Sequence, residues 1–424
     1  MKVLIVNTYD KGGAANACLR LHEGLLQEAI HSKVLLKLKE KSLPKTNQFQ
    51  QNQSSKSKLQ IIKEKGLLFL RVMGILNKPK QSQEQQFLRH REPGLELFSF
   101  PNSNFDITSS PLYQEADIIN LHWVANFLDY ESFFSKNTKP VVWTLHDMNP
   151  FTGGEHYQET FLGMDASGNP NKRRISESEK RIFKKNLSVK VKAIQSTPNI
   201  SVVAPSEWLC MEAQNSKVFN SKPVYCIPYG INSEIFKPRD KNFSRAILNI
   251  PKDKKVILFV ADSITNHRKG YAYLKQALNF LQDDNVVLCA VGGKKTALES
   301  AKNIIELGAI YDERLMSMVY SAADVFVIPS LMDNLPNTVL ESLMCGTPVI
   351  GFPVGGITDM VQDGDNGLLT KTITSTALLD SIQMFLESMD TFNRERIREN
   401  ALKKYDLKVQ ADAYIKLFKT ILKE

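Results

Sequence analysis

The stretch ADVFVIPSLMDNLPNTVLESLMCG, residues 323–346, divides into a strand, a turn and a helix. It begins with the apolar run VFVI, continues through the turn residues of LMDNLP, and then repeats apolar residues at helical spacing. Asn337 is the predicted N-cap of this helix, and Gly346 is its predicted end. Because strands that lead directly into helices build parallel sheets, the stretch predicts an α/β fold.

The start of this helix also predicts an anion site. The first N–H groups of a helix have no partner within it, and the helix dipole favours negative charge there. Asp333 precedes the helix and Glu341 lies about one turn inside it, so two acids bracket the site. Carboxylates accept paired hydrogen bonds from sugar hydroxyl groups, which suits a ligand with both phosphate and sugar. The alternative is that Asp333 only caps the helix and Glu341 is an exposed acid stabilised by the dipole.

Strands of the same kind recur along the whole chain. Each is short and apolar, ends at polar, Gly or Pro residues, and is separated from the next by a longer segment. The other predicted strands are KVLIVN (2–7), ADIINLHW (116–123), PVVWTLHD (140–147), SVVAPS (201–206), VYCIPYG (224–230), VILFVAD (256–262) and VVLCAVGG (286–293). The charged, proline-containing segment 230–255 predicts the connection between two Rossmann-like halves. Since ligands bind beyond the carboxyl ends of parallel strands, we expect a site in the cleft between the halves.

The composition is that of a folded globular chain. Its 424 residues exceed what one core usually supports, and its hydrophobic (42%) and charged (23%) fractions argue against disorder and against a membrane bundle. No apolar run reaches the ~18 residues of a membrane span. The five cysteines lack C-x-x-C spacing, and the N-terminus predicts a strand and not a leader. We therefore expect a cytoplasmic protein, one that can be positioned at the inner face of the cytoplasmic membrane.

The formal net charge of +9 leaves nucleic acid, an anionic membrane or a phosphorylated substrate as partners. Nucleic acid is not expected, because the basic segments lack interleaved stacking aromatics. Segment 59–76 fits either an interfacial helix on an anionic bilayer or an ordinary core-facing helix. Segment 171–192 has nine Lys or Arg against two Glu, and fits either a solvated helix face or a surface for membrane or acceptor. Segment 41–58 is polar and predicts a surface loop.

Two other turns carry residues suited to phosphate. Arg268 and Lys269 follow the strand 256–262 and could neutralise a diphosphate, Arg through its planar fork and Lys as a point charge. Gly12 and Gly13 follow the first strand and permit close approach of a ligand to the backbone. A solvated basic turn and an ordinary glycine turn are the alternatives.

His122 and His146 end neighbouring predicted strands of the first half and could project into the cleft. A strand-end histidine also serves often as a structural, hydrogen-bonded residue. Asp363 and Asp365 have the D-x-D spacing of a metal site, but the surrounding QDGDNGLL favours a turn. The motifs G-x-x-x-x-G-K-[ST], H-E-x-x-H and G-x-S-x-G are absent from the sequence.

Together these residues resemble family-4 retaining glycosyltransferases, enzymes with two Rossmann-like domains in the GT-B fold. The E-x(7)-E signature of that family is similar to Asp333-x(7)-Glu341 here. The resemblance covers most of the chain, through KGGAANACLRLH (11–22), IPYGINSEIFKP (227–238), RKG (268–270) and GAIYDERLMSMVYSAADVFVIPS (308–330). LHW and VVWTLHDMNPFTGGEHY are similar to a bacterial subgroup from surface-polysaccharide gene clusters. Members of that subgroup often have cysteines near the position of Glu155; their absence here implies no structural metal.

The resemblance implies that residues of the opening stretch bind the donor. Glu341 would bind the ribose hydroxyl groups, and Asp333 would bind the sugar. Further contacts to the sugar would come from the backbone of Asn334, Leu335 and Pro336. The diphosphate would face the backbone N–H groups of Asn337 and Thr338.

The resemblance also assigns residues outside this stretch. Arg268 and Lys269 would neutralise the diphosphate, with Arg268 replacing the family arginine whose position is held here by Ile264. Ile310 corresponds to the backbone segment that receives the base, and Gly13 to the glycine loop beneath the phosphate.

For the reaction, the resemblance implies transfer with retention, in which the departing diphosphate takes the acceptor proton on the face that it leaves. His146 matches a histidine near the donor sugar and the acceptor hydroxyl. Stabilising the leaving group then requires positive charge and placement, but no metal and no cofactor. Asp333 has one methylene less than the family's first Glu, so the sugar preference is expected to shift.

The predicted function is a retaining, metal-independent glycosyltransferase of bacterial surface-polysaccharide synthesis. It would move a sugar from a nucleotide-diphosphate sugar to a saccharide or lipid-linked oligosaccharide acceptor, with peripheral contact to an anionic membrane. The alternatives are a sugar-nucleotide epimerase and a nucleotide-sugar-binding protein that has lost catalysis. The predicted domains are an acceptor domain (1–232), a donor domain (233–402) and a C-terminal helix (403–424) that packs back on the first domain.

Overall fold

The computed structural model describes residues 1–51, 67, 69, 73, 82–263, 266–281, 283–293 and 303–423. Ile264 and most of the segment 59–76 lie outside the described residues, and so does the end of the predicted loop 41–58.

One parallel sheet contains seven of the described strands of the N-terminal half. The strands up to residue 226 are β1 (Lys2–Asn7), β2 (His31–Leu36), β3 (Thr46–Gln48), β4 (Ile118–Leu121), β5 (Val141–Thr144), β6 (Phe161–Met164), β7 (Pro170–Lys172), β8 (Ile200–Ala204) and β9 (Val224–Cys226). Among them, seven form a sheet in the order β3-β2-β1-β4-β5-β8-β9, and each neighbouring pair is parallel. β6 and β7 form an antiparallel hairpin apart from this sheet.

A second parallel sheet lies in the C-terminal half. Its strands are β10 (Lys255–Ser263), β11 (Val286–Gly293), β12 (Ile304–Gly308), β13 (Val325–Ile328), β14 (Val349–Gly351) and β15 (Gly367–Leu369). In the described ranges their order is β12-β11-β10-β13-β14-β15, again with parallel neighbours. The predicted α/β class with two parallel sheets is confirmed.

Helices connect the strands. They are α1 (Gly13–Gln27), α2 (Gln83–His90), α3 (Pro111–Glu115), α4 (Tyr130–Lys136), α5 (Glu177–Gln195), α6 (Glu207–Asn215), α7 (Lys241–Ile247), α8 (Tyr271–Leu281), α9 (Glu313–Ala322), α10 (Asn337–Met344), α11 (Ile357–Met360), α12 (Ser375–Ser388), α13 (Arg394–Tyr405) and α14 (Leu407–Leu422). Short 3-10 turns occur at Ile107–Ser109, Asn149–Phe151, His267–Lys269 and Met389–Thr391. The predicted connection 230–255 therefore contains a helix, α7.

The central strands of the N-terminal sheet are buried between two clusters of core residues, one on each face. In β1, every residue after the first is buried, which explains why its sequence is one continuous apolar run. Helix α14 buries Tyr414, Leu417 and Phe418 in the core that also contains residues of β1. The last helix of the chain thus packs against the N-terminal sheet.

The two chain segments that pass between the halves lie side by side. The N–H of Ile231 donates to the Tyr405 carbonyl (2.8 Å), and the N–H of Leu407 donates to the Ile231 carbonyl (3.0 Å). These two bonds tie the crossing segments to each other, while the domain limits at 232 and 402 stay predictions. None of the helices in the described ranges is both long enough and apolar enough to cross a bilayer.

Candidate functional site

The helix that follows β13 begins one residue earlier than the predicted cap implies. Pro336 is the N-cap of α10, Asn337 is its first residue, and no side chain caps the helix. Asn337 cannot cap because its side chain is directed toward α1, where Nδ2 donates to the Gly13 carbonyl (3.0 Å) and Oδ1 accepts from Arg20 (3.3 Å). The prediction of Asn337 as N-cap is therefore wrong. The first turn of α10 presents N–H groups without a side-chain cap, which is the arrangement that an anion site requires.

Two glycines fix the loop before α10. The N–H of Gly356 donates to the Asp333 carbonyl (3.1 Å). A Cβ on Gly355 would lie 2.0 Å from that carbonyl oxygen, and one on Gly356 would lie 1.7 Å from the carbonyl oxygen of Asn334. Gly355 also has φ +52°, which favours glycine. This close approach explains the GG that follows the strand β14 and holds the loop 333–336 in place.

Asp333 lies in a cluster of charges that joins the two halves, called here the Asp333 cluster (Asp333, Lys269, Arg268 and Glu96). Lys269 Nζ is 2.7 Å from Asp333 Oδ2, and Arg268 Nη1 is 3.3 Å from the same oxygen. Arg268 Nε is 2.6 Å from Glu96 Oε1. Burial would raise the pKa of Asp333, but Lys269 and Arg268 outweigh it and hold that pKa below its usual value. Asp333 is therefore ionised and ion-paired.

The two predicted cations differ in how much of their hydrogen-bonding capacity is free. Arg268 also donates to the Met332 carbonyl (2.6 Å) and lies over the Tyr157 ring (4.5 Å), and only 9% of its surface is exposed. The Lys269 side chain is 25% exposed. Both cations stand beside Asp333, and Lys269 has more room than Arg268 to reach a phosphate.

Glu341 lies in a second cluster, called here the Arg20 cluster (Arg20, Glu341, Glu313, Asn337 and Tyr320). Arg20 Nη2 is 2.8 Å from Glu341 Oε1 and 2.6 Å from Glu313 Oε1, and Tyr320 donates to Glu341 Oε2 (3.0 Å). Burial raises the pKa of Glu341, and the attraction of Arg20 only partly offsets it. The alternative that Glu341 is an exposed surface acid is therefore wrong.

Arg20 was missed by the sequence analysis. It belongs to α1 and lies three residues after Ala17 and four before Gly24, so it occupies the apolar face that packs inward. Its side chain is 5% exposed, and its Nε is buried without a hydrogen-bond partner in the described residues. A charged residue on the buried face of a predicted helix was the available signal, because arginine is rarely buried unless paired.

His146 stands at the end of β5, next to the loop before α10. Its carbonyl accepts from Asn334 Nδ2 (3.2 Å), and Asn334 Oδ1 accepts from the Ser206 hydroxyl (2.6 Å). Its ring contacts His122 (2.9 Å) and Tyr229 (2.7 Å). Burial lowers the pKa of His146 to about 4, so the ring is neutral at pH 7. The sequence thus found two histidines that the structure brings into contact.

The remaining predicted residues surround these groups at different distances. Gly13 is exposed and reaches the site through Asn337. Leu335 is buried in the C-terminal core, so only its backbone can face a ligand. Thr338 is half-buried in the first turn of α10, and Ile310 packs partly against the core in the loop that precedes Glu313.

The turn at Asp363 and Asp365 is separate from the site. The backbone of Asp363 forms an isolated β-bridge with Gly367, and Asp365 Oδ1 forms an ion pair with Arg396 Nη2 (2.7 Å). In the part of the chain that the structure describes, no three His, Cys, Asp or Glu side chains form a group that could hold a metal ion.

Part of the sequence around this site matches a family of known proteins. Residues 240–404 match the family of glycosyl transferases group 1. This group 1 region contains β10 to β15, α10, Asp333, Glu341, Arg268 and Lys269.

Two curated relatives and one solved structure show how far the similarity extends. D-inositol 3-phosphate glycosyltransferase of Streptosporangium roseum is 31% identical over 160 residues, which cover 34% of this chain and 37% of that protein. The putative teichuronic acid biosynthesis glycosyltransferase TuaC of Bacillus subtilis is 28% identical over 186 residues, which cover 43% of this chain and 46% of that protein. The chain thus spans less than half the length of either relative.

The solved structure of HepE from Anabaena, in complex with UDP, matches 99% of this chain and 100% of that chain. The TM-score is 0.65 at 17% sequence identity, a likeness that concerns the fold. With two parallel sheets in place, the predicted GT-B fold is confirmed.

Proposed function

We propose that the protein is a retaining, metal-independent glycosyltransferase that moves a sugar from a nucleotide-diphosphate sugar to a saccharide acceptor. The start of α10 carries this proposal, because it has no side-chain cap and lies between Asp333 and Glu341 within the group 1 region. A diphosphate fits the free N–H groups, Glu341 accepts hydrogen bonds from the ribose, and Asp333 accepts them from the sugar.

The charges around this helix start suit a reaction in which a diphosphate departs. The bond between the sugar C1 and the phosphate oxygen breaks, and the acceptor oxygen bonds to C1 on the same face. The acceptor proton passes to the departing phosphate. Lys269 and the helix N-terminus would stabilise the charge that develops on the phosphate, and no cofactor is needed. Asp333, paired with Lys269, would keep that cation in place until the donor arrives.

The similar proteins support the choice of donor and acceptor. HepE was solved with UDP and with UDP-glucose, which supports a nucleotide sugar as the donor here. TuaC is named for teichuronic acid biosynthesis, which supports a polymer of a bacterial surface as the product. We infer that the acceptor is a saccharide. For a product that is a polymer of a bacterial surface, this saccharide would be linked to a lipid.

A panel of nucleotide sugars, supplied with and without saccharide acceptors, tests the proposal. Acceptor-dependent release of nucleoside diphosphate, with the anomeric configuration of the product retained, is the expected result. It should persist in excess chelator. A changed free sugar nucleotide would indicate an epimerase, and saturable binding without turnover would indicate a binding protein. Glu341→Ala should weaken binding of the nucleotide, whereas the exposed Glu399→Ala of α13 serves as the control.

We also propose that the protein docks on an anionic membrane through α5. Several exposed basic residues lie on or just before this helix: Lys172, Arg174, Lys180, Arg181, Lys184, Lys185 and Lys192. Arg173 and Lys190 of the same segment are buried and do not contribute. Clusters of basic residues are attracted to anionic lipid. Sedimentation with phosphatidylglycerol vesicles should therefore fall when Lys184 and Lys185 are changed to Gln. Equal sedimentation with neutral phosphatidylcholine vesicles would contradict this surface.

A further inference from the structure

A chain of buried polar side chains runs from Tyr414 of α14 through His122 and His146 to Tyr229. Its members are consecutive hydrogen-bond partners at 2.7–3.0 Å, and all are buried. In order they are Tyr414, Thr144, Asn120, His122, His146 and Tyr229. We call them the histidine chain.

The direction of this chain is fixed at Asn120. Asn120 Nδ2 donates to the Val142 carbonyl (3.0 Å), and a carbonyl oxygen can only accept. The amide nitrogen therefore faces β5, and Asn120 Oδ1 faces His122 Nε2 at 2.9 Å. Since Oδ1 can only accept, the hydrogen in this bond belongs to His122 Nε2.

Neutral rings carry this direction on to His146. Burial lowers the pKa of His122 well below its usual value and that of His146 to about 4, so each ring has one N–H at pH 7. His122 Nδ1 is then a bare acceptor, and His146 Nε2 must donate to it (2.9 Å). His146 Nδ1 is left as an acceptor, and the Tyr229 hydroxyl donates to it (2.7 Å).

The Tyr229 hydroxyl has a second acceptor within reach. It lies 3.3 Å from the Leu145 carbonyl oxygen, so it can turn from His146 Nδ1 without losing a hydrogen bond. His146 itself is tied to the loop before α10 through the bond between its carbonyl and Asn334. This bond places His146 next to the loop 333–336, where the proposed function puts the donor sugar.

We propose that the histidine chain fixes His146 as the neutral tautomer with its hydrogen on Nε2, so that Nδ1 is the acceptor for the substrate hydroxyl group that the resemblance places near this histidine. His122 and Tyr229 are then positioning residues, because they set the tautomer of His146 and cover its free nitrogen. The identity of that hydroxyl as one of a sugar rests on the proposed function, whereas the tautomer does not.

Nitrogen NMR of the full chain labelled with 15N-histidine tests the tautomer without substrate. His146→Gln identifies the His146 signals among those of the seven histidines. We expect a protonated Nε2 and a bare Nδ1 at pH 7. A protonated Nδ1, or a charged ring, would overturn the proposal. In Tyr229→Phe the ring loses the donor that favours its neutral form, so the titration midpoint of His146 should rise, and an unchanged midpoint would also count against the proposal.

Kinetics test the positioning role of His122. His122→Leu removes the acceptor for His146 Nε2–H, so the other tautomer should appear and kcat should fall about tenfold with little change in donor KM. His122→Gln, whose amide can both accept and donate, should restore most of kcat, and the exposed His31→Gln should match wild type. Equal kcat in the Leu and Gln variants would refute the role. If the tautomer is as expected but no donor is turned over, the proposed function fails and the tautomer assignment stands.

Discussion

The two sides of the cleft keep their buried polar groups satisfied in different ways. The C-terminal side uses charges, and both the Asp333 cluster and the Arg20 cluster take a partner from the N-terminal half, Glu96 in one and Arg20 in the other. The N-terminal side uses the histidine chain, in which both rings are neutral. Burial acts on both groups, but the two rings stay neutral, whereas Asp333 and Glu341 have cations beside them.

This difference indicates how each side can contribute to a reaction. Ion pairs at the C-terminal side provide a strong field where a phosphate would bind, and a cation can exchange one anion for another. Neutral hydrogen bonds at the N-terminal side provide direction, because the Asn120 amide and the two neutral rings fix which atom donates in each bond. We therefore expect charge-removing substitutions to act strongly on the C-terminal side and hydrogen-bond substitutions to act moderately on the N-terminal side.

The largest effect is expected for Arg20→Met, which keeps the length of the side chain and removes its charge. Glu341 would stay buried without its cation, and breaking a buried pair in this way costs roughly 3–5 kcal/mol of stability. The free energy of unfolding in urea measures the loss. In a double-mutant cycle, Arg20→Met with Glu341→Gln should lose less than the sum of the single changes.

Lys33→Met is the matched control for Arg20→Met, because it breaks the exposed pair between Lys33 and Glu115 (2.7 Å). Exposed ion pairs contribute little, so this variant should unfold close to wild type. If Arg20→Met were as stable as Lys33→Met, the Arg20 cluster would not hold the two halves together, and the contrast between the two sides would fail.

The sequence predicted the strands better than it predicted the partners of the site. The ends of β1 and β11 agree with the predicted runs 2–7 and 286–293, because a strand covered on both faces is apolar throughout. β14 and β15 have three residues each, too few to show a period, and they were missed.

Residues of the site were likewise predicted where the signal is local in the sequence and missed where their partners are distant in the sequence. Asp333 and Glu341 were found because a strand, a turn and a helix follow one another there. Arg20 is 321 positions from Glu341 and Glu96 is 172 positions from Arg268, so no local pattern links them. The N-cap of α10 was predicted wrongly for the same reason, because the side chain of Asn337 donates to Gly13 of a helix in the other half.

A somewhat smaller effect is expected for Lys269→Ala, which tests whether the charged side stabilises a departing phosphate. If Lys269 exchanges Asp333 for the phosphate in the transition state, its removal should raise the activation free energy by about 2–4 kcal/mol. That change lowers kcat, with a smaller change in donor KM. Steady-state rates of nucleotide release measure it. The exposed Lys371→Ala in the same half is the control and should keep the wild-type rate.

Arg268→Ala sharpens this prediction, because Arg268 is already engaged by Glu96, Asp333 and the Met332 carbonyl. It should lower stability more than Lys269→Ala does, since it removes hydrogen bonds to Glu96 and to the Met332 carbonyl as well as a charge beside Asp333. An unchanged kcat in Lys269→Ala would contradict the assignment of that lysine to the leaving group.

The smallest effect is expected for Glu159→Gln. Glu159 belongs to the N-terminal half and has no ion pair among its described contacts. Burial raises the pKa of Glu159 to about 7 from 4.5, although a hydrogen bond from the Glu96 N–H opposes the rise. The stability that a raised pKa contributes is present below about pH 4.5 and is lost as the pH rises through about 7, by at most about 3 kcal/mol. Asp333, whose pKa is lowered, contributes with the opposite sign and loses its stability as the pH falls.

Urea denaturation of Glu159→Gln and of the exposed control Glu399→Gln across pH 4.5 to 8 separates the two signs. Glu159→Gln should abolish part of the fall in stability between about pH 4.5 and 7, because Gln has no proton to lose as the pH rises. At pH 8 it should therefore be more stable than wild type, and at pH 4.5 the two should be alike. If the variant instead followed the pH dependence of wild type, a neighbouring cation would compensate the charge of Glu159. Glu159 would then be a compensated charge like Asp333, and the contrast between neutral and charged groups would rest on the two histidines.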